Sequence, residues 1–216
     1  MKKIIDKYDV MDAAKASRIV LVNEFTIITP LAQDLAKELG VEFVRDNDIP
    51  SETDGVIDEI EKNPVKTVAL GADHGGFAMK EELKEYIKKM GYTIKDVGTH
   101  NGNPCDYPDF ALAVAELVAK NAAQRGIMID SVGIGSAMAA NKIKGVLAAK
   151  CNNGFEARSS REHNYANVLA LGAKVIGGEI AKEIVKIFLE TQGGAERHKK
   201  RVNKILQYKQ IPQKRK

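Results

Sequence analysis

A chain of 216 residues with 44% hydrophobic content suits one folded domain plus an appendage, and no apolar run approaches the roughly 20 residues that cross a bilayer. Met-Lys-Lys-Ile-Ile-Asp turns polar too soon for a secretory signal, and Cys105 and Cys151 lack metal-ligand spacing, so a cytoplasmic protein without a disulfide framework or zinc site is expected. Residues 1–64 carry 8 Lys and Arg against 14 Asp and Glu and the rest 25 against 15; with no aromatic-interleaved basic stripe, that basic body favours a phosphorylated small molecule over nucleic acid.

Residues 1–46 read as a small extension. Ile19 to Val22 is an apolar strand, Thr29-Pro30 supplies an N-cap and a first-turn proline, and Leu31, Leu35 and Leu39 mark a helix that Gly40 stops before a second strand at Val41 to Val44. Strand, helix and strand hold too few apolar residues to stand comfortably alone, so this unit is expected to dock on something. Residues 47–64, acidic and holding Pro50, Gly55 and Pro64, read as a linker with one helical turn at Val56 to Glu61. The basic tail Lys209 to Lys216 reads as a solvated end.

Residues 65–216 form the main domain. Strands are expected at Thr67 to Gly71, Thr93 to Val97, Ile127 to Asp130, Val146 to Lys150 and Lys174 to Gly177, with helices such as Met79 to Met90 and Phe110 to Ala119 between them. That alternation predicts an α/β fold with a doubly wound parallel sheet of about five strands, helices on both faces. Ligands in such sheets bind beyond the carboxyl ends of the strands. Candidate groups are expected to gather on that edge: Asp73-His74-Gly75-Gly76, Gly98-Thr99-His100, Asp130 to Ser136, and Cys151 to Asn164 with Arg158, Arg161, Glu162 and His163.

The stretch from Ile127 to Lys142 is the most informative. Gly133 and Gly135 let the backbone bare its amides at a helix start, and Asp130 places a carboxylate beside them, where it reads as a base near a developing oxyanion or as a solvated turn residue. Asp73-His74 reads as a proton shuttle or as an N-cap with an exposed imidazole. Arg197 and Arg201, one turn apart after Gly193-Gly194, suit a phosphate, although a solvated basic helix has the same pattern.

Taken together, Gly-Ala-Asp-His-Gly-Gly-Phe with Lys80-Glu81, Asp106-Tyr107-Pro108-Asp109, Gly133-Ile134-Gly135 with Ala-Ala-Asn-Lys, Ser-Arg-Glu-His-Asn with Ala166-Asn167-Val168, and Gly-Gly-Ala-Glu-Arg-His resemble the ribose-5-phosphate isomerase B and galactose-6-phosphate isomerase family. The resemblance implies a Rossmann-like subunit that isomerises phosphorylated sugars through an enediolate, without metal or organic cofactor. It further implies a homodimer or tetramer with shared active sites. By the same resemblance, Asp73 and His74 bind sugar oxygens and, with His163, open the ring. Ser131, Gly133, Ile134, Gly135 and Ser136 cradle the enediolate oxygen, while Tyr107 and Asn164 contact the sugar. Arg197, Arg201 and His198 hold the phosphate, aided by Arg158 or Arg161.

The sequence departs from the family at the base. Where other members carry a Cys it has Asp130, and where others carry a Glu it has Ser136, a combination closer to one subunit type of the galactose-6-phosphate isomerases. Asp130 is therefore the expected base, with burial strengthening it and nearby amides and cations weakening it. Cys105 and Cys151 fall away from the usual thiol position and read as structural. The segment Ile-Ile-Thr-Pro-Leu-Ala-Gln-Asp-Leu-Ala-Lys-Glu-Leu-Gly resembles segments of bacterial microcompartment-associated enzymes, which implies an adaptor toward a shell or cargo partner; a stabilising docked extension is the other reading. The expected activity is interconversion of ribose 5-phosphate and ribulose 5-phosphate, with galactose-6-phosphate isomerisation or a non-catalytic binding subunit as alternatives. No nucleic-acid or membrane partner is expected.

Overall fold

The structure, a computed structural model, describes residues 3–15, 18–45 and 56–206, and the chain divides into two compact units, Met1–Glu52 and Thr53–Lys216. Residues 47–55 of the expected linker and the basic tail lie outside the described residues.

The first unit runs β1 (Lys3–Ile5), α1 (Lys7–Lys15), β2 (Ile19–Val22), β3 (Thr26–Ile28), α2 (Pro30–Leu39) and β4 (Glu42–Arg45), with β1 paired to β3 and β2 to β4, both parallel. The expected strand, helix and strand are β2, α2 and β4; β1, α1 and β3 are additions. Helix α2 begins and ends where its local chemistry dictates. The Ala32 amide donates to Thr29 Oγ1 at 3.3 Å, Pro30 needs no amide partner, and Gly40 at φ 65° stops the helix. Its inward face carries Ala32 and Ala36, buried beside Ile5, Val10, Val20 and Val41 with Leu35 partly buried against them, whereas Leu31 is 58% exposed. Small residues face inward because α1 packs closely on α2, leaving the larger Leu31 and Leu39 outside.

The second unit opens with α3 (Val56–Lys62), longer than the single turn expected, and continues β5 (Thr67–Ala72), α4 (Phe77–Lys89), β6 (Thr93–Asp96), α5 (Tyr107–Ala119), β7 (Arg125–Asp130), α6 (Ile134–Ala140), β8 (Ala148–Lys150), α7 (Gly154–Glu162), β9 (Val168–Gly172), α8 (Gly178–Glu190) and α9 (Glu196–Leu206). Five parallel strands lie in the order β6-β5-β7-β9-β8. Alternate strand residues feed two cores. Val68, Leu70, Ile127, Ile129, Leu169 and Leu171 pack against α4, α7 and α8, while Ala69 and Val168 pack against α5 and α6. The fold is the Rossmann-like, doubly covered sheet that the alternation predicted.

The fifth strand is not at Lys174 to Gly177, which is turn and bend, but at Val168–Gly172. There an unbroken Val-Leu-Ala-Leu run slots between β7 and β8 and is buried on both faces. Beneath the outer face of α4, Lys80 is fully buried and its charge is met by Asp96 at 2.7 Å and Glu81 at 2.6 Å. Burial works against the Asp96 charge, but Lys80, Lys84 and the Gly98 amide hold its carboxyl below the ordinary range.

Because every strand runs the same way, each helix between neighbouring strands returns the chain from the carboxyl edge to the amino edge. Asp73, the loop after β6 and Asp130 therefore lie on the carboxyl edge. Helix α7 carries His163 and Asn164 to the amino edge, and α8 brings Thr191 there too, where Arg161 Nε donates to its carbonyl at 3.1 Å. The expectation of a single edge gathering all candidates is thus corrected by helix direction.

Candidate active site

On the carboxyl edge three connections meet. Asp73, 5% exposed, ends β5 and accepts the Gly76 amide on Oδ1 at 3.0 Å, capping the turn into α4, while His74 beside it is exposed. His74 Nδ1 lies 3.2 Å from both the amide nitrogen and the carbonyl oxygen of Cys105, accepting from the first when unprotonated and donating to the second when protonated, and Cys105 Sγ lies 3.9 Å from the same nitrogen. Cys105, read from the sequence as structural, thus stands beside a candidate site residue; its position directly before the Asp106-Tyr107-Pro108-Asp109 motif was the available signal. Tyr107 follows, its ring seated so closely over Gly135 that no Cβ would fit there.

Asp130, also 5% exposed, ends β7 and folds back onto its own loop. Oδ1 accepts the amides of Val132, at 2.6 Å, and of Gly133; Oδ2 accepts the Ser136 amide at 3.2 Å and the Ser136 hydroxyl. Gly133 at φ 84° supplies the left-handed step that turns these donors inward. A carboxylate offers about four lone-pair sites, so all of them are engaged. Of the expected cradle, the amides of Gly133 and Ser136 serve Asp130, whereas those of Ser131, Ile134 and Gly135 are not among its donors. The hydroxyl of Ser136 is the one donor that releases Oδ2 by simple rotation.

The amino edge holds a second cluster. A cleft of about 670 Å³ is lined by Arg158, Glu162, His163, the 191–195 segment, Arg197 and His198. His163 receives or donates a hydrogen bond with Ser159 Oγ at 3.1 Å and stacks on His198, ring centroids 4.4 Å apart. Arg201, one turn along α9, stands outside that lining, and Asn164 is exposed beside His163. Arg161 is a correction: it is fully buried, with Nη1 donating to the Ala166 carbonyl at 2.6 Å and Nη2 to Glu61, so it offers nothing to a ligand. Among the described residues no cluster of His, Cys, Asp or Glu could hold a metal ion, and no helix is long and apolar enough to cross a membrane.

Desolvation, with Arg197, His163 and Arg201 nearby, pushes the His198 imidazole below its ordinary 6.5. A bound phosphate dianion would reverse that charge balance and raise it again. Near pH 6.5 proton uptake by His198 is therefore expected to offset part of the proton release that accompanies binding inorganic phosphate as its dianion, and His198→Asn should shift the balance toward release, read by calorimetry in two buffers of different ionisation enthalpy.

The two clusters sit at opposite ends of the strands. Six residues of β7 at ~3.3 Å each put about 20 Å between the edges, too far for one small ligand to reach both within a subunit.

Residues 68–205 match the family model described as Ribose/Galactose Isomerase. The chain is 40% identical over 141 residues to ribose-5-phosphate isomerase B of Escherichia coli, covering 65% of this chain and 95% of that protein. It is 39% identical over 138 residues to a galactose-6-phosphate isomerase subunit of Streptococcus pyogenes, covering 64% of this chain and 96% of the relative. The solved ribose-5-phosphate isomerase B of Clostridium thermocellum matches at TM-score 0.64 and 46% identity, over 65% of this chain and 95% of that structure. Fold, carboxyl-edge motifs and these likenesses agree: the chain belongs to the ribose/galactose isomerase family, and its second unit is a sugar-phosphate isomerase domain.

Proposed function

We propose that the protein interconverts ribose 5-phosphate and ribulose 5-phosphate, with each active site built from the carboxyl edge of one subunit and the amino edge of another. The observation that carries this reading is the pairing of Asp73, His74 and the Asp130 loop on one edge with an imidazole and guanidinium cleft on the other, in a chain of this family. Exposed Val132, Ile134, Met138 and Phe155 are apolar surface around the carboxyl edge that a second copy would cover. Family likeness to ribose-5-phosphate isomerases supports the five-carbon substrate.

In the proposed mechanism, His74 and Asp73, with His163 of the second copy, hold the ring oxygens and move the proton that opens the hemiacetal. The phosphate rests on Arg197, Arg201 and His198, with Arg158 beside them, and Asn164 and Tyr107 contact the sugar. Ser136 turns its hydroxyl toward the sugar, and the freed Asp130 Oδ2 takes the C2 proton. The electron pair moves into a C1–C2 double bond, and charge appears on O1, where the amides of Ser131, Ile134 and Gly135, which Asp130 does not engage, stabilise it. A proton shifts from O2 to O1, Asp130 returns its proton to C1, and the ketose leaves with no net gain or loss of protons. No cofactor enters any step.

A second reading is favoured by the four donors already on Asp130: a subunit that binds sugar phosphate and leaves turnover to a partner, as in a two-chain galactose-6-phosphate isomerase. Purified protein assayed on ribose 5-phosphate and galactose 6-phosphate side by side decides. Turnover, greater on the pentose, is the expected result; binding of both without turnover of either supports the second reading. For the first unit we propose a docking or adaptor role, toward a microcompartment shell or cargo, resting on its exposed Ile4, Ile27, Leu31 and Leu39.

A further inference from the structure

Helix α3 precedes the family-matched segment, yet it reaches the amino-edge cleft. Its last turn carries Glu61 to two arginines that the fold buries, Arg161 with 0% and Arg125 with 4% of the side chain exposed. Arg161 gives its remaining donors to the carbonyls of Ala166 and Thr191, and Arg125 gives Nη1 to the carbonyls of Ile60, at 3.2 Å, and Gln124, at 2.9 Å. Glu61 is the only carboxylate with which either guanidinium pairs among the described residues. Its other oxygen, Oε2, accepts the Gly193 amide at 2.9 Å.

The same helix grips α9 as well. Ile57, 1% exposed, packs with Tyr165 and Val202, Asp58 pairs with Lys199, and the Tyr165 hydroxyl donates to the Gly194 carbonyl at 2.6 Å. Thr191, Gly193 and Gly194 form the cleft wall that leads into Arg197 and His198. Burial disfavours the Glu61 charge, but Arg161, the Gly193 amide and Arg125 outweigh it and keep the carboxyl below 4.5, so the pin is ionised at neutral pH.

We propose that Glu61 is a positioning residue for the anion cleft: it fixes the 191–195 wall against Arg161 and thereby sets Arg197 and His198 at the angle a phosphate needs. The inference rests on the reading of Arg197 as a phosphate ligand. Nothing in the family match requires it, since α3 lies ahead of the matched residues.

The test uses the full chain with inorganic phosphate binding by calorimetry and the dependence of rate on ribose 5-phosphate. Glu61→Asp keeps the charge beside the arginines and loses the reach to Gly193; Glu61→Gln keeps the reach and loses the charge. Both are expected to weaken phosphate binding and raise KM together by about tenfold, with kcat within about twofold of the parent. A charge-balancing role alone would leave Glu61→Asp unchanged in both constants, and that outcome overturns the proposal, as does a fall in kcat at constant KM. Glu61→Asp decides the matter if Glu61→Gln does not fold. Arg197→Met is the control on the underlying reading: if it leaves phosphate affinity intact, that reading fails, whereas its weakening with Glu61→Asp unaffected removes only the role of Glu61.

Discussion

Asp130→Asn is expected to lower turnover on ribose 5-phosphate by about 10³-fold, within the range that general-base removal produces, while phosphate affinity stays near the parent value. The amide oxygen of Asn still accepts from Val132 and Gly133, but its NH₂ group would meet the Ser136 amide, donor against donor, and cannot take a carbon-bound proton. Loop distortion alone could also slow the reaction, so Ser136→Ala is the companion variant. It removes one donor from Oδ2 and leaves the carboxylate a free lone pair. Turnover within about tenfold of the parent in Ser136→Ala, with the large loss in Asp130→Asn, assigns proton transfer to the carboxylate itself. Residual activity above a tenth of the parent in Asp130→Asn would move the base elsewhere. Cys105, its sulfur 3.9 Å from His74 Nδ1, is then the group to examine, because Cys151 is buried and its thiol is pushed up to about 11 by desolvation. Substrate protection of Cys105 against iodoacetamide would report that shift.

What sequence alone could disclose followed the range of the interaction concerned. The cap at Thr29, the proline beside it and the stop at Gly40 act within one turn, and helix α2 ends where they say. Which face of α2 is buried depends on how near α1 approaches, a distance that residue spacing does not contain, so the leucines that mark the helix do not by themselves name its inward face. The Val168–Gly172 strand was hidden by its neighbour. Val175 and Ile176 have the β-branched character of a strand, but they follow the point where β9 ends at Gly172 and fall in a turn.

For the site, the loops after β5 and β7 were legible because glycines and carboxylates there sit within a few residues of one another. The contact of Cys105 with His74 joins two loops 31 residues apart, and the bond from Arg161 to Glu61 spans 100 residues. A guanidinium looks alike in sequence whether it grips a ligand or is consumed by the core. Helix direction was the other missing fact. Four candidate loops were correctly placed after strands, but α7 is long enough to carry its last residues across the sheet, and that assigns His163 to the opposite edge.

The internal partner of Arg161 also decides where the N-terminal extension can be cut. A chain beginning at Lys66 is expected to be about 3–5 kcal/mol less stable at pH 7 than one beginning at Thr53, as read from denaturant midpoints, because it loses Glu61 and leaves two buried guanidiniums without a counter-charge. Burial, with Arg161 close by, already brings Arg125 down to about 10 even with Glu61 in place, so its positive charge is costly and becomes more so without the carboxylate. The pH dependence has a definite sign. The Glu61 carboxyl is lowered from 4.5 in the folded protein, so its stabilisation is complete above that value and is lost as pH falls through the lower folded one. The gap between the two truncated chains should accordingly be widest near neutrality and shrink in acid. Equal midpoints at pH 7 would mean that water or a shifted side chain neutralises the arginines, and that α3 is a linker after all. A gap that persists below the folded pKa would instead assign the loss to the apolar contacts of Ile57 with Tyr165 and Val202.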